Sequence, residues 1–253
     1  MGAIHFVGGE KGGVGKSLTA RLLAQYSIDQ KQQLIAFDSD QSHGTFSRFY
    51  KDFTQPVAIN NFDSLDQIIA AAEKNPDATI IVDLAAQTGR HLSDWILQTD
   101  IFSILECLDF KPYFWHVMDD GADSTHLLNK MLDNITHTNV NIVVVKNFGR
   151  GQCFENFEHS MIHTKAEKMG ARIIELPALQ ARLAQKVDFN NTSFWAAAHN
   201  SEIMTLTERH RVTQWIKQCY SEFEIALGQK DSNKELPSDI HPAPFEQHYM
   251  IDA

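Results

Sequence analysis

Residues 8–17 read Gly-Gly-Glu-Lys-Gly-Gly-Val-Gly-Lys-Ser and follow the apolar run at residues 4–7. An apolar strand that leads into a glycine-rich turn and then into a helix is the construction of a phosphate-binding loop. Its free backbone N–H groups and the positive end of the helix dipole face the anion. In such a loop Lys16 would contact the outer phosphates and Ser17 would ligate Mg²⁺. The stretch therefore predicts phosphate binding near the start of the chain.

The motif departs from the strict Walker A pattern at one place, because Glu10 stands where that pattern has glycine. The remainder, residues 11–17, keeps a second lysine at Lys11. It resembles the deviant Walker A motif of the ParA/MinD family of dimeric ATPases, which includes plasmid partition, division-site and conjugal-transfer proteins. The alternative is a glycine-rich turn that ends in Gly-Lys-Ser by chance. The resemblance assigns the following loop residues to the nucleotide: Gly12, Gly13, Val14, Gly15, Lys16, Ser17 and Leu18.

Strand-like and helical segments alternate along the rest of the chain. Runs rich in β-branched residues predict strands, and apolar residues at helical spacing predict helices. The alternation implies right-handed crossovers, so we expect an α/β fold with a doubly wound, mostly parallel sheet and helices on both faces. After the loop, the predicted strands are 34–37, 79–83, 101–108, 141–145 and 172–176, and the predicted helices are 16–29, 64–74, 124–135 and 202–227. The aromatic cluster Phe114-Trp115-His116 is then expected in a loop, as core or as a partner-binding surface.

Length and composition indicate one domain rather than two. With 253 residues, 43% of them hydrophobic, the chain can bury a large core. We expect this domain over residues 1–227 and an extended or disordered tail over residues 228–253, which are polar and contain prolines. Three widely spaced cysteines predict neither a disulfide framework nor a zinc site, and indicate reduced thiols in the cytoplasm.

The formal net charge of −10 disfavours attachment of the whole protein to DNA or to anionic lipid. Arg209, His210, Arg211 and Lys217 form a modest basic cluster, for which a solvated helix face is the default interpretation and non-specific DNA binding, as in ParA-type proteins, is the alternative. The C-terminal residues 245–253 are acidic and do not resemble the basic amphipathic helix of MinD-type proteins. No run of about 18 apolar residues occurs, so we expect a soluble, cytoplasmic protein that does not bind membranes.

Three aspartates follow predicted strands, at the positions where open α/β sheets bind ligands. Asp38 and Asp40 come after the second strand, and Asp83 ends the third. The family resemblance implies that Asp40 orients the attacking water and that Asp38 lies near the metal. It also implies that Asp83 holds Mg²⁺ through water, as a Walker B acid does. The alternative for Asp38 and Asp40 is that they cap the segment at residues 42–50.

Lys11 lies too close to Lys16 to serve the same phosphate from the same direction. The resemblance implies that Lys11 crosses a homodimer interface to the partner's phosphates, in the manner of an arginine finger. It further implies that Asn147 and Pro177 contact adenine. Phe148 occupies the place of the acid in a guanine-reading motif, so the sequence favours ATP over GTP. The expected cofactors are ATP and Mg²⁺.

The second half of the chain is similar, at scattered positions, to TraL-type conjugal transfer and mobilisation ATPases. The matching segments are 174–179, 187–189, 193–198 and 204–211. The resulting hypothesis is an ATP-dependent dimerisation switch in DNA segregation, plasmid transfer or the positioning of a cellular complex. ATP would pair two subunits, and slow hydrolysis, stimulated by a partner protein, would separate them.

Two other functions are compatible with a phosphate loop. One is a metabolic ligase or synthetase on the same scaffold, against which the second lysine, Lys11, argues. The other is a nucleotide-binding scaffold that no longer hydrolyses. The segment at residues 84–90 is the observation that favours this scaffold, because it lacks the proline-containing sequence that many relatives have there.

Overall fold

Seven parallel strands form one sheet in the computed structural model, which describes residues 1–40, 44–135, 137 and 139–229. The strands are β1 (Ala3–Gly8), β2 (Leu34–Asp38), β3 (Thr54–Pro56), β4 (Thr79–Asp83), β5 (Lys111–Met118), β6 (Asn141–Asn147) and β7 (Arg172–Leu176). Their order across the sheet is β3-β2-β4-β1-β5-β6-β7, and every neighbouring pair is parallel. The predicted doubly wound parallel sheet is therefore confirmed.

Helices cover both faces of this sheet. They are α1 (Lys16–Asp29), α2 (Thr45–Phe49), α3 (Phe62–Lys74), α4 (Gly89–Thr99), α5 (Ile101–Cys107), α6 (Ala122–Asn134), α7 (Glu155–Glu158), α8 (Met161–Lys168), α9 (Ala181–Phe189), α10 (Phe194–His199) and α11 (Leu206–Ala226). On one face Leu22 of α1 and Phe223 of α11 share a core with Trp115 of β5. On the other face Trp95 of α4 shares a core with Phe6 of β1. Both cores exclude water, because all five side chains are almost fully buried.

Strand register brings the functional segments to one edge of the sheet. Val7 on β1 pairs with Asp83 on β4, and Asp83 pairs on its other side with Asp38 on β2. These residues stand at or next to the carboxyl ends of three adjacent strands. The phosphate loop begins directly after β1 at the same edge. The sheet thus places two aspartates beside the loop without any long connection.

The predicted strand at residues 101–108 is wrong, because this segment forms α5 and the strand follows as β5. Ile101 and Leu105 are both fully buried, and their spacing of four residues is that of a helix face. Asp100 adopts a left-handed φ of 50°, which ends α4 and allows α5 to start in a new direction. The cluster at residues 114–116, expected in a loop, lies buried in β5 between β1 and β6 and belongs to the core.

The C-terminal helix is shorter at its start than predicted. It begins at Leu206 rather than at residue 202, because Thr205 and Glu208 form a capping box that satisfies the first backbone N–H groups. Of the predicted tail, residues 230–253 lie outside the described residues. Within the part that the structure describes, no helix combines the length and the apolar composition needed to cross a membrane.

Candidate nucleotide-binding site

The phosphate loop joins β1 to α1 through backbone that only glycine adopts easily. The φ angles are 144° at Gly9, 77° at Gly13 and 105° at Gly15. At Gly15 a Cβ would also lie 2.2 Å from the side-chain nitrogen of Asn147. A Cβ at Gly12 or Gly13 would meet nothing within 4 Å. This part of the loop therefore borders open space, as a phosphate cradle requires.

Asn147, at the end of β6, supports the phosphate loop. Its Nδ2 donates a hydrogen bond of 2.7 Å to the carbonyl oxygen of Val14, and its Oδ1 accepts one of 2.9 Å from the backbone N–H of Gly149. The residue is 1% exposed. Sequence reasoning missed this supporting contact, since it joins residues 133 positions apart. The predicted contact of Asn147 with adenine stays a prediction.

Pro177 lies at the same sheet edge as Asn147. It follows Leu176, which pairs with Asn147 in the β6–β7 register. The carbonyl oxygen of Pro177 accepts a hydrogen bond of 2.8 Å from the indole N–H of Trp215. Pro177 and Phe148 together line a cavity of about 390 Å³. The structure therefore brings the two residues expected to contact adenine to neighbouring strand ends.

The two lysines of the loop point to different partners. The Nζ atom of Lys16 donates a hydrogen bond of 2.9 Å to the backbone carbonyl oxygen of Lys11 and is almost fully buried. The Nζ atom of Lys11 instead forms an ion pair of 2.7 Å with the Oδ2 atom of Asp119. About a third of the Lys11 side chain is exposed. The two lysines thus have different partners within the chain, and the predicted role of Lys11 across a dimer interface stays a prediction.

Local charges act on the pKa values of both lysines. Burial lowers the pKa of Lys16, against the opposing effect of the carboxylates of Asp83, Glu10 and Asp40. The hydrogen bond with Asp119 raises the pKa of Lys11. Lys16 consequently lies in a partly dehydrated site lined by acids. The positive charge of Lys16 attracts an anion such as phosphate more strongly there than in bulk water.

Asp83 carries a buried carboxylate whose hydrogen-bonding capacity is unused by the described residues. It is 2% exposed, and neither of its carboxylate oxygens has a hydrogen-bond partner among the described residues. Burial raises the pKa of Asp83 to about 7; the charges of Asp38 and Asp40 act in the same direction, and the nearby Ser17 hydroxyl and Lys16 oppose them. An orphaned buried acid beside a hydroxyl is a fitting pair of oxygen donors for Mg²⁺.

The remaining ligands of such an ion would be water and phosphate. Across residues 1–40, 44–135, 137 and 139–229, no group of three or more His, Cys, Asp or Glu side chains is arranged to hold a metal ion. Mg²⁺ commonly binds through one or two protein ligands, several waters and substrate phosphates. The donor set of Ser17 and Asp83 suits that mode.

Asp38 organises the segment that follows β2. Its Oδ1 accepts from the backbone N–H of Asp40, and its Oδ2 accepts from the backbone N–H and the hydroxyl of Ser47 in α2, at 2.9 to 3.0 Å. Both oxygens are thus engaged, which agrees with the alternative that this acid caps the next segment. The predicted place of Asp38 near the metal and the predicted role of Asp40 stay predictions.

The segment after β4 is tied to both neighbouring loops. The backbone N–H of Ala85 donates to the hydroxyl of Ser39 over 2.7 Å. The backbone N–H of Gly89, the first residue of α4, donates to Oε1 of Glu10 over 2.7 Å. Sequence reasoning treated Glu10 only as a flaw in the motif and missed its contact. The sequence signal for this contact was the acid at position 10, where the strict Walker A pattern has glycine.

Sequence comparison relates the chain to two named proteins, MobD and TraL. It is 26% identical over 215 residues to Protein MobD of Acidithiobacillus ferrooxidans, covering 84% of this chain and 92% of MobD. It is 31% identical over 130 residues to Protein TraL of Escherichia coli, covering 48% of this chain and 52% of TraL. No protein-family model matches the chain. The predicted resemblance to TraL-type proteins is confirmed.

Structure comparison shows the fold. A plasmid partition protein of Borrelia burgdorferi, solved with AMPPNP, superposes with a TM-score of 0.53 and 15% sequence identity, over 91% of this chain and all of that one. At this identity the likeness carries information on the fold alone. The predicted α/β fold with a parallel sheet is thus shared with this partition protein.

Replacing Asp83 by asparagine should remove a pH-dependent cost to stability. An acid whose pKa is higher in the folded than in the unfolded protein stabilises the fold at low pH and loses that contribution as pH rises toward the folded pKa. In the metal-free, nucleotide-free protein, the Tm of Asp83→Asn minus that of wild type should therefore grow between about pH 4 and pH 7 and then level off, at about 3 °C per kcal/mol. Thermal melts across this range would contradict the burial argument if the difference stayed constant.

Removal of the Asn147 side chain should destabilise the phosphate loop. In Asn147→Ala the Val14 carbonyl oxygen loses its partner inside the protein, which costs about 1–3 kcal/mol. The Tm should fall by several degrees in a thermal melt without nucleotide. Asn141→Ala, at the opposite end of β6, is the matched control, because it loses only a longer hydrogen bond of 3.2 Å to the carbonyl of Pro112. Equal melting of the two variants would refute a supporting role for Asn147.

Proposed function

We propose that this protein is an ATPase of the ParA/MinD type that acts as an ATP-dependent dimerisation switch in plasmid transfer or mobilisation. The phosphate loop and the sheet edge supply a nucleotide site. The sequence similarity to MobD and TraL supports a role in transfer, and the partition protein with the same fold was solved with an ATP analogue. ATP binding brings two copies together, and hydrolysis separates them.

The divergence of the two loop lysines is the observation that carries this proposal. Lys16 turns back into its own loop, whereas Lys11 turns outward to Asp119 and stays partly exposed. The ion pair is partly exposed, and Asp119 keeps hydrogen bonds from the Gly121 N–H and the Ser124 hydroxyl when Lys11 leaves. The Lys11 side chain can therefore exchange Asp119 for a stronger anion at low cost. The triphosphate of a second subunit is such an anion, with several charged oxygens close together.

The chemistry within one subunit then follows from the edge of the sheet. Lys16 and the loop N–H groups bind the outer phosphates. Ser17 and Asp83 would hold Mg²⁺, which would neutralise charge on the phosphates. Asp40 orients the attacking water. Asp38 fixes the backbone of the Asp40 segment through its contacts with Asp40 and Ser47. Lys11 of the second subunit places its positive charge beside the negative charge that develops in the transition state.

Residues at the ends of β6 and β7 bear on the identity of the nucleotide base. Asn147 and Pro177 stand at adjacent strand ends, and Phe148 takes the place of a guanine-reading acid, so the proposal favours ATP. A protein activator or cargo is expected, because an ATPase switch of this kind hydrolyses slowly alone. DNA binding has no support from the net charge of −10.

Replacing Lys11 by alanine should abolish ATP-dependent pairing while leaving ATP binding within about threefold. If Lys11 acts in trans like an arginine finger, its loss should also lower turnover roughly a thousandfold or more. Light scattering with AMPPNP measures the pairing, and a fluorescent ATP analogue measures the binding. A Lys11→Ala protein that still pairs at micromolar concentration would exclude the trans role.

Asp119→Ala is the matched control, since it removes the partner of Lys11 inside the subunit and keeps the lysine. This variant should pair with AMPPNP at the same or a lower protein concentration than wild type, because no local anion competes for Lys11. If both variants lost pairing equally, the shared ion pair, and not the lysine itself, would be what pairing requires.

Replacing Asp40 by alanine should separate binding from chemistry. Loss of the group that positions the water is expected to lower phosphate release about a hundredfold or more, whereas pairing with ATP should persist or last longer. A phosphate-release assay together with light scattering checks both. Absence of turnover in the wild-type protein under all conditions, with and without partner proteins, would favour the non-hydrolysing scaffold instead.

A further inference from the structure

Glu10 links the phosphate loop to the helix that follows the Asp83 strand. Its Oε1 accepts a 2.7 Å hydrogen bond from the backbone N–H of Gly89, in the first turn of α4. A carboxylate at this position satisfies one of the free N–H groups of the helix and interacts favourably with the helix dipole. A hydrogen bond with a charged partner is stronger than a neutral one. The contact therefore fixes the start of α4 relative to the loop.

The local geometry at residue 89 fits this contact closely. A Cβ built at Gly89 would lie 2.5 Å from Oε1 of Glu10, and its three nearest heavy atoms all belong to the Glu10 side chain. The backbone φ of Gly89 is not in the left-handed region, so no conformational need for glycine exists there. A side chain at position 89 would therefore displace the carboxylate of Glu10.

The segment between Asp83 and α4 is held at a few defined points. Ala85 N–H donates to Ser39, and the Thr88 hydroxyl donates to the carbonyl oxygen of Ala85. Between them Gln87 adopts a left-handed φ of 62°, an unfavourable conformation for a residue with a side chain. Of these fixing contacts, only the one from Glu10 to Gly89 starts in the phosphate loop. It is the direct path from the loop to α4.

The charge of Glu10 also acts at the phosphate site. Its carboxylate is close enough to Lys16 to oppose the loss of charge on that lysine. Lys16 is the residue proposed to bind the outer phosphates. A γ-phosphate on Lys16 would bring further negative charge toward Glu10 in a site of low dielectric, and like charges repel strongly there.

We infer that Glu10 is a positioning residue that tethers α4 to the phosphate loop, and that a γ-phosphate weakens this tether. The inference rests on the proposed function for the identity of the nucleotide. It gives the departure from the strict Walker A pattern a role: the acid transmits the state of the phosphate site to the segment between Asp83 and α4. ADP, which lacks the γ-phosphate, leaves the tether in place.

Amide hydrogen exchange in the first turn of α4, at residues 89–92, measures the tether. In the nucleotide-free protein Glu10→Ala should speed exchange there about tenfold relative to wild type, in line with the loss of one charge-assisted hydrogen bond. Glu10→Gln keeps an acceptor oxygen and should retain most of the protection. In wild type, exchange should be faster with AMPPNP than with ADP, whereas Glu10→Ala should show no difference between the two nucleotides.

Gly89→Ala supplies a matched variant, because it displaces the carboxylate without removing it. Alone it should speed exchange as Glu10→Ala does, and the double variant should exchange no faster than Glu10→Ala. Exchange in Glu10→Ala equal to that in wild type, additive effects of the two substitutions, or an unchanged AMPPNP-to-ADP difference in Glu10→Ala would each overturn the tether.

The nucleotide-free comparison of wild type with Glu10→Ala is independent of pairing. If wild-type protein stays monomeric with AMPPNP in light scattering while Glu10→Ala still exposes the start of α4, the dimerisation switch fails and the tether stands. If wild-type protein pairs and Glu10→Ala leaves exchange at residues 89–92 unchanged, the tether fails and the switch stands.

Discussion

The parallel register of β1, β4 and β2 determines where the functional segments lie. Val7 on β1 and Asp38 on β2 both pair with Asp83 on β4, so three strands end at one edge. Hydrophobic packing on both faces holds this register, because a slip of one residue would turn each buried side chain to the opposite face. The phosphate loop, the buried acid and the Asp40 segment are adjacent as a consequence.

The phosphate loop is in turn held by side chains from separate elements. Asn147 from β6 holds the Val14 carbonyl, Asp119 after β5 holds Lys11, and Glu10 of the loop itself reaches Gly89 at α4. Two of these three contacts involve a charged group. A ligand with three or more negative charges changes the balance of those contacts more than it changes the apolar core. Nucleotide binding at this loop therefore acts directly on the elements around it.

The sequence predicted the features that follow from local pattern. β-branched runs identified β4 and β7 with their observed bounds, and the glycine motif located the loop between β1 and α1. The pattern failed at residues 101–108, where a short apolar run suits a strand or a helix equally and the helical burial of Ile101 and Leu105 decides. The contacts of Asn147 and of Glu10 were not predictable, because each joins positions far apart in the chain and depends on the packed sheet.

In the proposed dimer the Lys11 side chain contacts the nucleotide of the other subunit. Phosphate release from mixtures of Lys11→Ala and Asp40→Ala proteins tests it most directly, since each protein alone lacks one of the two groups. In a mixed pair, the Lys11→Ala subunit keeps Asp40 and receives Lys11 from its partner, so one site is complete. Mixing should restore turnover. Mixtures in which differently tagged Lys11→Ala and Asp40→Ala subunits copurify in the presence of AMPPNP, yet release phosphate no faster than the separate proteins, would show that Lys11 acts only within its own subunit.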